Sequence, residues 1–125
     1  MALRVAVTGA SGRMGQAVAR AIAAEPEAEL AYLVARQGSR LVGSSAASIV
    51  GDENCTIIVS EVLDLEAADV VIDFTLPELS LVNARACAEA GVPIVIGTTG
   101  FSETEQADLE SILAPVARCQ AANFS

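Results

Sequence analysis

Short runs of β-branched and aliphatic residues alternate along this chain with longer alanine-rich stretches whose apolar residues recur at helical spacing. Leu3 to Thr8 reads as a first strand, broken by Gly9 to Gly15, and Met14 to Ala24 as a buried helix that must end before Pro26. Leu30 to Val34 follows as a second strand, then a Gly/Ser/Arg loop and a weak helical segment at Ala46 to Val50. Thr56 to Val59 is predicted as a third strand, Glu61 to Ala67 as a short helix, and Val70 to Phe74 as a fourth strand. Pro77 to Ala90 carries Pro at its start and Gly91 at its end, the placement that starts and stops a helix. Pro93 to Ile96 is a fifth strand, Gly97 to Gly100 a turn, and Ser102 to Leu113 a helix with Ser102 as N-cap and Glu105 completing a capping box. Val116 to Gln120 is read as a sixth strand.

Strict β/α alternation with nearly continuous apolar strands predicts a parallel sheet covered by helices on both faces. Right-handed crossovers then favour a doubly wound, mostly parallel α/β sheet of the Rossmann type, in a single three-layer domain. The 125 residues, 53% of them hydrophobic, suffice for one such domain. Apolar stretches stop well short of the ~20 residues a membrane span needs, so no membrane partner and a cytoplasmic location are expected. Cys55, Cys87 and Cys119 lack CxxC spacing, and with no histidine there is no mixed zinc site, so reduced thiols are expected. The chain stops directly after the last predicted strand without a closing helix, which reads as a cut.

Charge narrows the function. A net charge of −9 argues against nucleic acid as a partner. Its distribution is uneven, with five arginines against three acids up to residue 50 and two against thirteen beyond it. The only electropositive region is therefore N-terminal. There is no His and no Lys, so the commonest movers of protons near neutral pH are missing.

In a doubly wound fold, ligands sit beyond the carboxyl ends of the strands. After the first strand comes Gly9-Ala10-Ser11-Gly12-Arg13-Met14-Gly15, between a strand and a helix, the context a dinucleotide fingerprint requires. Gly9 allows the tight turn, Gly12 the approach of a pyrophosphate and Gly15 the packing of helix on strand, while N–H groups at the helix start attract phosphate. A site for NAD usually has a carboxylate at the end of the second strand for the ribose 2′-hydroxyl. Here the residues are Val34-Ala35-Arg36. Arg36, helped by Arg40 or Arg13, suits a 2′-phosphate and would stack on adenine, so NADPH is expected to be preferred, or at least accepted, with NADH a possible second cofactor. Asp73-Phe74-Thr75-Leu76-Pro77-Glu78 and Gly97-Thr98-Thr99-Gly100-Phe101 fall at two further carboxyl ends, where the nicotinamide half would lie.

The stretches Val5 to Gly15 (VAVTGASGRMG), Val71 to Thr75 with Pro77-Glu78, Val95 to Phe101 (VIGTTGF) and Ala121 to Ser125 (AANFS) together resemble dihydrodipicolinate reductase, also called 4-hydroxy-tetrahydrodipicolinate reductase, over the whole chain. GTTGF followed by AANFS is far more specific than the glycine turn. The resemblance implies that Gly9, Ala10, Ser11, Gly12, Arg13 and Met14 hold the pyrophosphate, and Arg36 the adenosine end. Phe74, Thr75, Gly97, Thr98 and Thr99 would lie at the nicotinamide side. Ala121, Ala122, Asn123 and Phe124 would touch the cofactor near an interdomain hinge, and Thr99 would also touch substrate.

Two departures from the family pattern matter. Ala35 stands where an acid often precedes the arginine, which weakens the case for NADH, and Leu76 stands where many members have arginine, so that arginine's cofactor contact is lost. The resemblance further implies a substrate-binding and tetramer-forming domain beyond AANFS, carrying a His-rich motif, a proton-donating lysine and a Ser-Gly-Thr loop, none of which is in these residues. The expectation is thus a cofactor-binding domain spanning 1–125, with no catalytic residue of its own. It would be inactive and monomeric as this chain, meeting its cyclic dicarboxylate substrate only with the second domain, in a homotetramer. A stand-alone non-catalytic NADP(H)-binding or regulatory module is the alternative. A short-chain dehydrogenase or epimerase shares the TGASGxxG opening but needs a Tyr-xxx-Lys pair, and the chain has no lysine.

Overall fold

A computed structural model describes residues 2–116 and the backbone of residues 118–120. Five parallel strands form one sheet in the order β2-β1-β3-β4-β5, namely β1 (Leu3–Thr8), β2 (Ala28–Val34), β3 (Val70–Asp73), β4 (Ile94–Ile96) and β5 (Arg118–Gln120). Helices α1 (Arg13–Ala24), α2 (Ala47–Val50), α3 (Pro77–Ala90) and α4 (Glu103–Leu113) cover it. The chain leaves β1 for β2 on one side and crosses back to β3 on the other, so the strand order reverses between β1 and β3.

Successive side chains of a strand face opposite ways, and β1 divides its apolar residues accordingly. Val5 and Val7 join Ala19 and Ile22 of α1 and Ile49 and Val50 of α2 in one core. Ala6 joins Val71, Ala84 and Cys87, Ile94 and Ile96, and Leu109 and Leu113 in a second core under α3 and α4. Burial pushes the Cys87 thiol up to about 12, with Asp73 adding to the effect, so it stays protonated and packs as a small apolar group.

Helix bounds follow the local signals. Pro77 opens α3, and Gly91 ends it with φ +70°, a left-handed cap that glycine adopts without Cβ strain. Ser102 and Glu105 form the reciprocal capping box of α4, with Glu105 N–H donating to Ser102 Oγ at 3.1 Å and Ser102 N–H to Glu105 Oε1 at 2.9 Å.

The predicted third strand does not form. Thr56 to Val59 contributes only isolated bridges, because its backbone bonds to the preceding loop instead: Ala46 N–H donates to the Ile57 carbonyl, and Val59 N–H to that of Ser44. One parallel bridge, Val34 with Ser60, is all that reaches β2. The helix predicted for Glu61 to Ala67 shrinks to a 3-10 turn at Leu65–Ala67, capped by Asp64 accepting from Glu66 N–H.

Candidate functional site

At the reversal between β1 and β3, where doubly wound folds take their ligands, an open cavity of about 520 Å³ lies over the carboxyl ends of the strands. Its floor is the glycine turn. Gly9 has φ +85°, and a Cβ there would stand 1.8 Å from the carbonyl oxygen of Phe74, so no other residue fits. A Cβ on Gly15 would come within 2.0 Å of the Gly9 carbonyl oxygen, which is how α1 packs so closely on the turn. Gly12 differs. Among the described residues a Cβ there would meet only the Gly9 oxygen, at an ordinary 3.5 Å, so none of them demands glycine at that point.

Gly12 is also the N-cap of α1, and it supplies no side-chain cap; the first turn carries no acid. The first N–H groups of a helix lack intrahelical partners, so this end keeps its positive dipole uncompensated beside the cavity. By contrast, α3 has Glu78 in its first turn and α4 has Glu103 and Glu105.

Of the residues expected to hold a cofactor, Gly9, Ser11, Gly12, Arg36, Phe74 and Thr75 line this one cavity. Ala10 is fully buried, its N–H donating to the Val34 carbonyl at 3.0 Å. Arg13 and Met14 are exposed at the start of α1 without lining the cavity, and Arg40 does not line it either. Ala121, Ala122, Asn123 and Phe124 lie outside the described residues.

Gly97, Thr98 and Thr99 follow β4. The Phe74 ring lies against Gly97, where a Cβ would sit 2.1 Å from the ring, and Gly97 N–H donates to the Asp73 carbonyl at 2.8 Å. Thr98 is buried and Thr99 exposed. Leu76, expected to bring no arginine contact, nevertheless stands in the cavity wall with Leu79 and Val82, all three exposed apolar residues.

Sequence reasoning gave Asp73 no role, yet it is the polar centre of this region. It is fully buried, and five side chains donate to its carboxyl group: Thr8 at 2.5 Å, Asn83 at 2.8 Å, Thr98 at 3.1 Å, Thr75 at 3.2 Å, and Ser80. Thr75 N–H in turn donates to Thr98 Oγ1 at 2.8 Å. One carboxyl group thereby ties together the ends of β1 and β3, the start of α3 and the turn after β4. The signal was present in the sequence as an acid closing the apolar run Val70-Val71-Ile72-Asp73. Glu61 and Gln37 also line the cavity, brought there by tertiary placement rather than by a recognisable motif.

Among the described residues, no group of His, Cys, Asp and Glu is arranged to hold a metal, and no helix is long and apolar enough to cross a membrane. Tyr32 does not line the cavity; its hydroxyl donates to Asp64 at 3.0 Å, and that bond raises the phenol above its usual range.

A parallel sheet reversing beside a glycine turn, with an uncapped helix start over the cavity, defines the class: a Rossmann-type nucleotide-binding domain. Comparison with known proteins narrows it. The family described as dihydrodipicolinate reductase, N-terminus, matches residues 3–124, and the chain belongs to that family. It is 39% identical over its full length to the 4-hydroxy-tetrahydrodipicolinate reductase of Saccharophagus degradans, covering 47% of that protein. It is 40% identical to that of Thiobacillus denitrificans, again over all of this chain and 47% of the relative. The chain thus spans about half the length of the curated relatives it matches. Among solved structures, dipicolinate-bound dihydrodipicolinate reductase from Paenisporosarcina sp. TG-14 superposes with a TM-score of 0.68 at 25% identity, over 99% of this chain and 48% of that one. GenD2 from gentamicin A biosynthesis, in complex with NAD, shares the fold with a TM-score of 0.72 at 23% identity, over 98% of this chain and 35% of that one.

Proposed function

We propose that this chain is the NAD(P)H-binding half of a 4-hydroxy-tetrahydrodipicolinate reductase, acting in the cytoplasm in diaminopimelate and lysine synthesis, with NADPH its preferred cofactor. The observation that carries this reading is Gly12. Nothing among the described residues requires glycine there, whereas a pyrophosphate approaching the uncapped start of α1 does. The residues present fit the cofactor. The Gly9–Gly12 turn and the α1 N-terminus take the pyrophosphate, and Arg36 pairs with the 2′-phosphate. Leu76, Leu79 and Val82 offer apolar surface to the adenine. Phe74, Thr75 and the turn Gly97 to Thr99 line the nicotinamide side, with Thr99 reaching substrate and Ala121 to Phe124 completing the contact.

When bound, the reduced nicotinamide supplies a hydride. The chain's own residues position it and keep Thr75 and Thr98 in place through Asp73. Completing the reduction also requires a proton donor and cationic partners for two carboxylates. A chain without His or Lys has no ready proton donor, and Tyr32 is bonded to Asp64 away from the cavity. We therefore assign those tasks to the half of the relatives that this chain does not span, and this chain alone turns over no substrate.

Titration with NADPH and NADH, followed by dihydronicotinamide fluorescence, tests the reading. Binding of both is expected, NADPH the tighter, and Arg36→Ala is expected to weaken NADPH about tenfold more than NADH, the scale of one charge-assisted contact. Absence of binding at millimolar concentration would sink the claim, and equal losses would remove Arg36 from the 2′-phosphate.

A further inference from the structure

The end of β2 lacks the carboxylate that usually accepts from the ribose 2′-hydroxyl: its place is taken by Ala35, whose side chain is buried. The fold brings an acid to the same point from a different part of the chain. Segment 56–60, which fails as a strand, retains one parallel bridge, Val34 with Ser60. Ser60 N–H donates to the Leu33 carbonyl at 3.0 Å and Ala35 N–H to the Ser60 carbonyl at 2.8 Å. In parallel pairing the next residues run level, so Glu61 lies alongside Ala35. Beyond it the turn is closed by Ser60 Oγ, which accepts from Val62 N–H and donates to the Val62 carbonyl, both at 3.0 Å. The backbone of Glu61 is thus fixed on both sides, and its side chain lines the same cavity as Arg36. The one ion pair among the described residues joins Arg4 to Asp69, so neither Glu61 nor Arg36 is held in such a pair.

Resting on the cofactor reading above, we infer that Glu61 is a specificity-determining residue, supplying from the segment beside β2 the ribose-hydroxyl acceptor that position 35 does not. An ionised carboxylate accepts hydrogen bonds but cannot donate them. It therefore suits the 2′-hydroxyl of NADH and repels the 2′-phosphate of NADPH, while Arg36 at the same cavity does the reverse. The two side chains form a cation and an anion that pull the preference in opposite directions, and NADH is retained as a cofactor through Glu61.

The test is the ratio of NADH to NADPH affinity in the unmodified chain and in Glu61→Gln, with Glu61→Asp as the charge-conserving variant. Glu61 is exposed, so the substitution removes charge without disturbing either core. The glutamine variant is expected to bind NADH about tenfold more weakly and NADPH at least as tightly, while the aspartate variant keeps much of the NADH affinity. An unchanged ratio in Glu61→Gln, or an equal loss for both cofactors, would overturn the role of Glu61 and leave the cofactor site standing. Failure of the unmodified chain to bind either one would overturn the cofactor reading itself, and this inference with it.

Discussion

Asp73 carries more of this site than its place in the stretch Val71 to Thr75 indicates. A buried carboxyl group is tolerated only when its oxygens are satisfied, and here four hydroxyls and an amide do so. Asparagine has the same shape but replaces one accepting oxygen with a donor, which would face hydroxyls already oriented to donate. Asp73→Asn is therefore expected to lower stability by about 2–4 kcal/mol, read from the urea midpoint. An unchanged midpoint would show that the hydroxyls hold one another without the acid. Single residues were unevenly legible in the sequence. Gly9, Gly12 and Arg36 announced themselves by position after a strand, and the cavity contains all three. Glu61 did not, because nothing near residue 61 reveals that Ser60 will pair with Val34.

Elements with their own start and stop signals emerged where the sequence placed them. α3 runs from Pro77 to Ala90, and α4 follows Ser102, both set by capping chemistry that acts over a few residues. Ser102→Ala removes the hydroxyl half of the capping box, leaving the Ser102 N–H to Glu105 bond in place, and is expected to cost about 1 kcal/mol, seen as a lower melting temperature by circular dichroism. No change would mean that packing of Leu109 and Leu113 alone fixes the helix start. The stretch from Thr56 to Ala67 departs from its sequence pattern for the opposite reason. Thr56-Ile57-Ile58-Val59 has the composition of a strand, but whether such a run joins the sheet depends on which backbone competes for its hydrogen bonds, and the loop at Gly43 to Ala46 wins. The start of α1, with neither a side-chain cap nor an acid in its first turn, stands apart from the acid-bearing starts of α3 and α4.

At the scale of the whole molecule, the sheet keeps two cores apart, one under α1 and α2 and the other under α3 and α4. Of the seven large apolar residues left exposed among the described residues, Leu76, Leu79 and Val82 belong to the cavity wall. With a net charge of −9 opposing self-association, the chain is expected to sediment as a single-chain species at tens of micromolar in moderate salt. A dimer under those conditions would point to a self-complementary surface.

The facing of Thr8 and Asp73 bears on how the sheet finds its alignment. Strands that are apolar on both sides are poorly protected against sliding, since a shift of two residues again sets aliphatic against aliphatic. In β3 only the final residue breaks the monotony of Val70, Val71 and Ile72. Slid by two, Asp73 would face Ala6 instead of a hydroxyl, and its carboxyl would be stranded in the dry interior. One acid at a strand end thus serves as a gauge of correct threading, rejecting arrangements that the hydrophobic effect alone would accept.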